Sequence, residues 1–329
     1  MTKVYLAKPR GFCAGVVRAI DTVDIALKHF GTPLYVRKEI VHNQSVVEKF
    51  KARGVSFIDY LSEAPAGSRV IFSAHGVSPQ IRQEAKKRDL KIIDATCPLV
   101  TKVHAEVHRY RKLGFAIVLI GHQDHDEVEG TLGEAPDIIQ VVGTVEEVEN
   151  LVVPDPDRVV ALTQTTLSVD ESKVMIDALR KKFPNLTTPP KDDICYATQN
   201  RQDAVKSLVG KGIDLLLVVG SQNSSNSQRL CEVAKALGVE AHLIDRATEI
   251  KEEWVSNKKC IGLTAGASAP EYLVEEVVAM LESLGAISEE LNLIEEDVNF
   301  ALPSEISDLV NDKTPLGSSE KTPLPTAQA

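Results

Sequence analysis

Residues 4–16 read VYLAKPRGFCAGV, residues 91–100 KIIDATCPLV and residues 191–205 KDDICYATQNRQDAV. Each stretch sets a cysteine, Cys13, Cys97 or Cys195, where a short apolar strand gives way to the start of a helix. The first N–H groups of a helix lack intrahelical partners, and the positive end of its dipole favours thiolate over thiol. Three such thiolates, if the fold gathers them, would hold one metal centre with a ligand position unfilled.

Working outward, strands and helices alternate along the chain. Apolar runs predict a first strand at the N-terminus and others at 34–36, 70–72, 92–94, 116–120, 159–162, 214–219, 241–244 and 260–263. Amphipathic helices are expected at 14–29, 99–113, 168–183, 197–209 and 270–284. Such alternation predicts an α/β protein with mainly parallel sheets and ligands at the carboxyl ends of the strands. The polar loops there repeat. YVRKEIVHN and IFSAHGVS follow Cys13, IVLIGHQDHDEVEG and VVALTQTTLS follow Cys97, and LLLVVGSQNSSNS and CIGLTAGASAP follow Cys195. A cysteine at a helix start, a polar strand end roughly 25 to 30 residues later and another after roughly 60 to 75 describe three related α/β units. A pseudo-threefold arrangement would turn all three cysteines and all six loops toward one cavity.

Composition fits a globular enzyme: 329 residues, 43% hydrophobic and 26% charged, suffice for two or three domains. The net charge of -10 argues against nucleic acid as the main partner, because a phosphate-binding face needs surplus Lys and Arg. No apolar run approaches the ~20 residues that span a membrane, and the N-terminus does not read as a signal peptide. A cytoplasmic location is expected, where five cysteines suggest free thiols or metal ligands over disulfides. Cys231, in a helical pattern, and Cys260, at a strand start, read as small, partly buried hydrophobes.

The strand-end loops carry His42, His75 and His125, with His122 beside the last, and Ser224, Ser225, Asn226 and Ser268. Imidazole, hydroxyl, amide and backbone N–H donors without a lysine cluster suit a small phosphate or diphosphate. Neither GxGxxG nor GxxxxGK[ST] occurs. Glu127 and Thr165 are candidates for proton delivery, since burial would raise the pKa of Glu127. Adjacent Asp126 could act likewise, and Glu129 reads as a solvated helix residue. Zinc is a possible occupant of the cysteines. Zinc motifs usually supply a close C-x-x-C pair, absent here, whereas an iron–sulfur cube is wide enough for cysteines from three units and leaves one iron open.

PRGFCAGV, HNxxVV, FSAHGVS, DATCPLVTKVH, EVEGT, TQTTLS, DDICYATxNRQ, VVGSxNSSNSxRL and TAGASAP, in this order from Thr2 to about Ala301, resemble the hallmark segments of the 4-hydroxy-3-methylbut-2-enyl diphosphate reductase family. The resemblance implies the last step of the non-mevalonate isoprenoid pathway, reductive loss of an allylic hydroxyl to give isopentenyl and dimethylallyl diphosphate. It implies one oxygen-sensitive 4Fe–4S cluster per chain on Cys13, Cys97 and Cys195, whose fourth iron binds the substrate hydroxyl. His42, His75, Ser224, Ser225, Asn226 and Ser268 match diphosphate-holding positions with His125 close by, and Thr165 and Glu127 match residues that orient the hydroxyl and relay protons. Electrons would come from ferredoxin or flavodoxin, or from an NADPH-linked reductase relay. The implied fold has three α/β units around the cluster, read here as 14–96, 97–193, and 194–284 with 1–13. An extension at 285–310 packs on the core, and a disordered tail is expected at 311–329.

Two features depart from the pattern. His125-Asp126-Glu127 stands where H-P-E is expected, adding a carboxylate near the proton donor, and the Pro/Thr/Ser-rich tail after Asn311 falls outside the resemblance. A quinolinate synthase type of dehydratase would also use three dispersed cysteines but more cationic help. An iron or oxygen sensor would need no diphosphate pocket, and a zinc hydrolase would be colourless.

Overall fold

The structure, a computed structural model, describes residues 2–309; the expected tail at 311–329 lies outside the described residues. In chain order the strands are β1 (Lys3–Lys8), β2 (Leu34–Arg37), β3 (Val55–Ile58), β4 (Arg69–Phe72), β5 (Lys91–Asp94), β6 (Ala116–Ile120), β7 (Ile139–Val142), β8 (Val159–Thr163), β9 (Leu215–Val219), β10 (Glu240–Ile244), β11 (Cys260–Ala265) and β12 (Ile287–Asn292). They form three sheets, ordered β3-β2-β4-β5, β7-β6-β8 and β10-β9-β11-β1-β12. Every ladder between them is parallel.

Helices cover the sheets, so the central strands are buried on both sides and read as continuous apolar runs rather than alternating ones. All five residues of β9, LLLVV, are buried. Its Leu215, Leu217 and Val219 pack on one side of the third sheet, while Leu216 and Val218 pack on the other. Each such side chain contributes about 1.5–3 kcal/mol by leaving water. The long helices Ala14–Phe30, Pro98–Lys112, Val169–Lys182, Tyr196–Gly210 and Glu271–Ser283 match the expected segments within a residue or two. Strands β3, β7 and β12 carried no clear sequence signal. β12, ISEELN, is a half-exposed edge strand whose charges suit a border that must not pair further. No helix among the described residues is long and apolar enough to cross a membrane.

The N-terminal strand lies inside the third sheet, between β11 and β12. Residues beyond β12 return to the first unit: Ala301 O accepts from Arg18 Nε at 2.7 Å, Glu305 Oε1 accepts from the Asp94 N–H at 3.1 Å, and Ile306 is fully buried. Arg201 anchors this end of the molecule. Fully buried in the helix after Cys195, it donates to Gly11 O at 2.7 Å, Ala197 O at 3.0 Å and Glu296 Oε1 at 3.0 Å. One guanidinium thus ties the loop before Cys13, the helix after Cys195 and the C-terminal return together. Removing the buried guanidinium leaves the Gly11 carbonyl without its donor, while half-buried Glu296 regains water, so Arg201→Met should lower unfolding free energy by about 1–3 kcal/mol. Urea unfolding would measure this, and a loss below about 1 kcal/mol would contradict the anchoring role.

Candidate active site

Cys13, Cys97 and Cys195 are the N-cap residues of helices Ala14–Phe30, Pro98–Lys112 and Tyr196–Gly210. One backbone device positions all three. The Cys13 N–H donates to Ala267 O at 3.2 Å, the Cys97 N–H to Ala74 O at 2.9 Å and the Cys195 N–H to Thr165 O at 3.1 Å. Ala267, Ala74 and Thr165 each lie two residues past the end of a strand, respectively β11, β4 and β8. The threefold repeat is therefore built into main-chain hydrogen bonds. One expectation needs correcting: no strand precedes Cys195, which follows the loop 183–194, where only Thr187 pairs, as an isolated bridge with Val160.

The three cysteines line one cavity with His42, His75, His125, Glu127, Thr165, Ser224, Ser225, Asn226 and Ser268, so the sequence candidates are brought together. His122 is exposed and does not join them. Gly15 shapes the sulfur side. A Cβ there would lie 2.7 Å from Cys97 Sγ and 3.8 Å from Cys13 Sγ, so only glycine leaves both sulfurs facing open space. Among the described residues, the group of His, Cys, Asp or Glu ligand atoms lying within 4.8 Å of one another is His42, His75 and Asp126, and not the cysteines. A single zinc ion bonding sulfur at about 2.3 Å would draw its sulfurs to roughly 3.8 Å. The wider spread suits a body larger than one ion, and the thiol donors are soft ligands of the kind iron–sulfur clusters use.

At two of the thiols burial works against the helix ends. It pushes Cys97 up to about 12 and Cys195 up to about 11, against N–H groups of Leu99 and Val100 at Cys97, and of Thr198 at Cys195, that favour the thiolates. The neighbouring thiols add to the rise. Incoming metal, and not the helix ends alone, must displace these protons.

Glu127 is buried and paired with Thr165: its Oε1 accepts the Thr165 N–H at 2.7 Å and its Oε2 accepts the Thr165 hydroxyl at 2.8 Å. Desolvation raises its pKa even though these bonds favour the carboxylate. Across the cavity His42 and His75 stack with ring centroids 4.0 Å apart, and His125 stands edge-on to both. Burial, reinforced by the other imidazoles, holds His75 well below its ordinary pKa and His125 down at about 3. His125 Nδ1 caps its helix by accepting the Glu127 N–H at 3.1 Å. Ser224 caps the helix Ser225–Ala236, and Ser268 Oγ donates to His42 O at 2.8 Å. Asn226 Oδ1 accepts the Ala267 N–H at 2.9 Å, tying its amide to the loop that holds Cys13.

Sequence reasoning missed the supporting residues. Thr166 Oγ1 donates to Ser225 Oγ at 3.0 Å, Thr198 Oγ1 lies 3.2 Å from Cys195 Sγ, and Glu39 Oε2 lies 3.0 Å from His42 Nδ1 while accepting from Asn223 Nδ2 at 2.7 Å. Thr166 lies in the TQTTLS loop that was read for Thr165 alone. Glu129 is exposed, with Oε1 3.3 Å from Arg37 Nη2, and Cys231 is a buried part of the third unit's core.

The profile of the LytB protein family matches residues 4–282. The 4-hydroxy-3-methylbut-2-enyl diphosphate reductase of Azoarcus sp. (strain BH72) is 55% identical over 307 residues, covering 93% of this chain and 98% of its own. That of Dechloromonas aromatica is 56% identical over 306 residues, covering 93% and 100%. Among solved structures, the E-1-hydroxy-2-methyl-but-2-enyl-4-diphosphate reductase from Plasmodium falciparum superposes with a TM-score of 0.91 at 40% identity, covering 94% of this chain and 98% of that one. A solved (E)-4-hydroxy-3-methyl-but-2-enyl diphosphate reductase gives 0.61 at 32% identity, covering 86% and 100%. With a family profile along most of its length and relatives more than half identical over nearly their whole chains, this chain belongs to the LytB family, the 4-hydroxy-3-methylbut-2-enyl diphosphate reductases.

Proposed function

We propose that this chain reduces 4-hydroxy-3-methylbut-2-enyl diphosphate to isopentenyl and dimethylallyl diphosphate, with loss of the hydroxyl as water. The observation that carries the reading is the single cavity in which three helix-capping cysteines meet a buried Glu127–Thr165 pair and a wall of imidazole, hydroxyl and amide donors. Cys13, Cys97 and Cys195 would hold one 4Fe–4S cluster. When bound, such a cluster supplies electrons singly and, with three protein ligands, one iron able to accept an oxygen. Ferredoxin, flavodoxin or an NADPH-linked relay would deliver those electrons in the cytoplasm.

The side chains do the rest. His42, His75, Ser224, Ser225, Asn226 and Ser268 bind the diphosphate, with His125 beside it. Burial presents His75 and His125 to it as neutral imidazoles, and the charge of the bound anion then favours their protonation. Thr165 orients the substrate hydroxyl. Glu127, whose pKa burial raises, is the proton source: when protonated it donates to Thr165 Oγ1, 2.8 Å away, and the threonine hydroxyl turns from the carboxylate to donate onward to the departing oxygen. Overall, two electrons and two protons convert the C–OH bond to C–H and water. The apolar floor formed by Val16, Val41, Ala74, Leu99 and Val100 keeps bulk water from the reacting carbon.

Cys97→Ser should lose both the brown colour and turnover, because a hydroxyl poorly replaces a soft thiolate. Anaerobic absorption spectra and iron analysis would test this, and a variant with full colour and turnover would remove Cys97 from the ligand set. Glu127→Gln should keep cluster and substrate affinity while kcat falls about 10²-fold or more. Near-normal kcat would move the proton role to Asp126 or a bound water.

A further inference from the structure

The reaction proposed above consumes two protons, whereas Glu127 carries one and is closed off from solvent. A further proton has to be stored within its reach. Glu134 stands just past the helix Asp126–Leu132, about two helical turns from Glu127, where that helix packs on the cysteine-capped helix Pro98–Lys112. Its Oε1 lies 2.9 Å from Nδ1 of buried His104, and its Oε2 lies 2.8 Å from Nε2 of exposed His108. Spaced i,i+4, the two histidines share one face of their helix. His104 closes the DATCPLVTKVH segment and has no part in the site described so far.

The ring of His104 has one nitrogen engaged and one free. Nδ1 meets Glu134, while Nε2 is buried and has no hydrogen-bond partner among the described residues. Leaving such an atom unpaired is costly. The ring packs under Gly76, where a Cβ would come 3.2 Å from His104 Cε1, and Gly130 of the Glu127 helix backs on the same glycine, a Cβ there lying 3.4 Å from Gly76 C. After the two Thr165 bonds, the His104 imidazole is the next influence that favours the Glu127 carboxylate. Asp193, which acts in the opposite sense, is already engaged: Lys102 Nζ donates to its Oδ1 at 3.1 Å and the Thr163 N–H to its Oδ2 at 3.2 Å. Although burial opposes it, the His104 and His108 imidazoles hold Glu134 below its ordinary pKa, and Arg111 Nη1 meets the Glu134 carbonyl at 3.5 Å. An ionised carboxylate on one ring nitrogen fixes a histidine's orientation and favours its imidazolium form.

We propose that His104, held through Nδ1 by Glu134, carries a proton on Nε2 and passes it to the Glu127 carboxylate once in each turnover. The Nε2–H bond breaks, an O–H bond forms on Glu127, and the ring is left neutral with its Nδ1–H still on Glu134. Solvent restores the proton before the next turnover. The part played in turnover rests on the reductase reading; the doubly protonated ring does not.

The test pairs two measurements on the anaerobic, cluster-loaded chain: ring ¹⁵N resonances of ¹⁵N-histidine-labelled protein, assigned to His104 by their loss in His104→Gln, and pH profiles of kcat and KM with the allylic diphosphate. At neutral pH both ring nitrogens of His104 should be protonated, and Glu134→Gln should move that titration to lower pH, because the carboxylate that favours the imidazolium is gone. Wild-type kcat should fall as pH rises through the same titration, and the fall should come at lower pH in Glu134→Gln. His104→Gln should lower kcat about tenfold or more, leave KM unchanged and lack that limb. A histidine that only filled space would leave the limb where it is, and Glu134→Gln, which keeps the side chain's shape, carries the test if His104→Gln does not fold. Nε2 unprotonated at every pH at which the wild type turns over, or one pH profile shared by all three proteins, would overturn the proposal. Failure of the reductase reading would appear separately, as a wild type that does not turn over the allylic diphosphate while the ring titration and its Glu134→Gln shift persist.

Discussion

Three main-chain hydrogen bonds, each from a cysteine N–H to a carbonyl two residues past a strand end, hold the centre of this protein. At Cys13, Cys97 and Cys195 the donor opens a helix and the acceptor closes a strand of the unit packed against it. Each bond contributes only about 1 kcal/mol net, but fixing the backbone removes the freedom that would let the thiols turn away. Gly15 completes the geometry by leaving open the space that a Cβ would fill between the Cys97 and Cys13 sulfurs. A repeated strand–loop–helix unit thus becomes a single site because its junctions lock to one another.

Burial sets the charge state of that site. It pushes Cys97 and Cys195 toward the thiol, holds His75 and His125 neutral and favours the protonated form of Glu127. Each shift favours the uncharged form, and on the proposed function each would be reversed by a charged visitor: metal would displace thiol protons, an anion would attract protons to imidazole, and a departing oxygen would take one from a carboxylic acid. The Thr165 contacts are the balancing element at Glu127. They stabilise its carboxylate, so the acid can release its proton despite its surroundings.

Much of this was legible in the sequence wherever the signal is local. Apolar runs such as LLLVV at 215–219 mark strands buried on both faces, and Pro98 directly after Cys97 marks a helix start. What escaped reading depends on contacts between distant segments. Strand β12 is half exposed and charged, and becomes a strand only by pairing with β1. Glu39 and Asn223 meet across 184 positions, and Thr166 and Ser225 across 59. At Cys97 and Cys195 the helix dipole is a local feature, whereas the desolvation that raises their pKa belongs to the assembled cavity. Cys195 shows the converse, since its helix start was evident while the strand expected before it is a loop.

The central claim is that three protein sulfurs cap an iron–sulfur body and leave one metal atom without a cysteine. Mössbauer spectroscopy of the anaerobic ⁵⁷Fe-loaded protein tests it most directly, because each iron reports its own ligand set. The account predicts that about one iron in four differs from the rest and shifts further when the allylic diphosphate is added. Four equivalent irons unaffected by the diphosphate, or no iron bound at all, would contradict it.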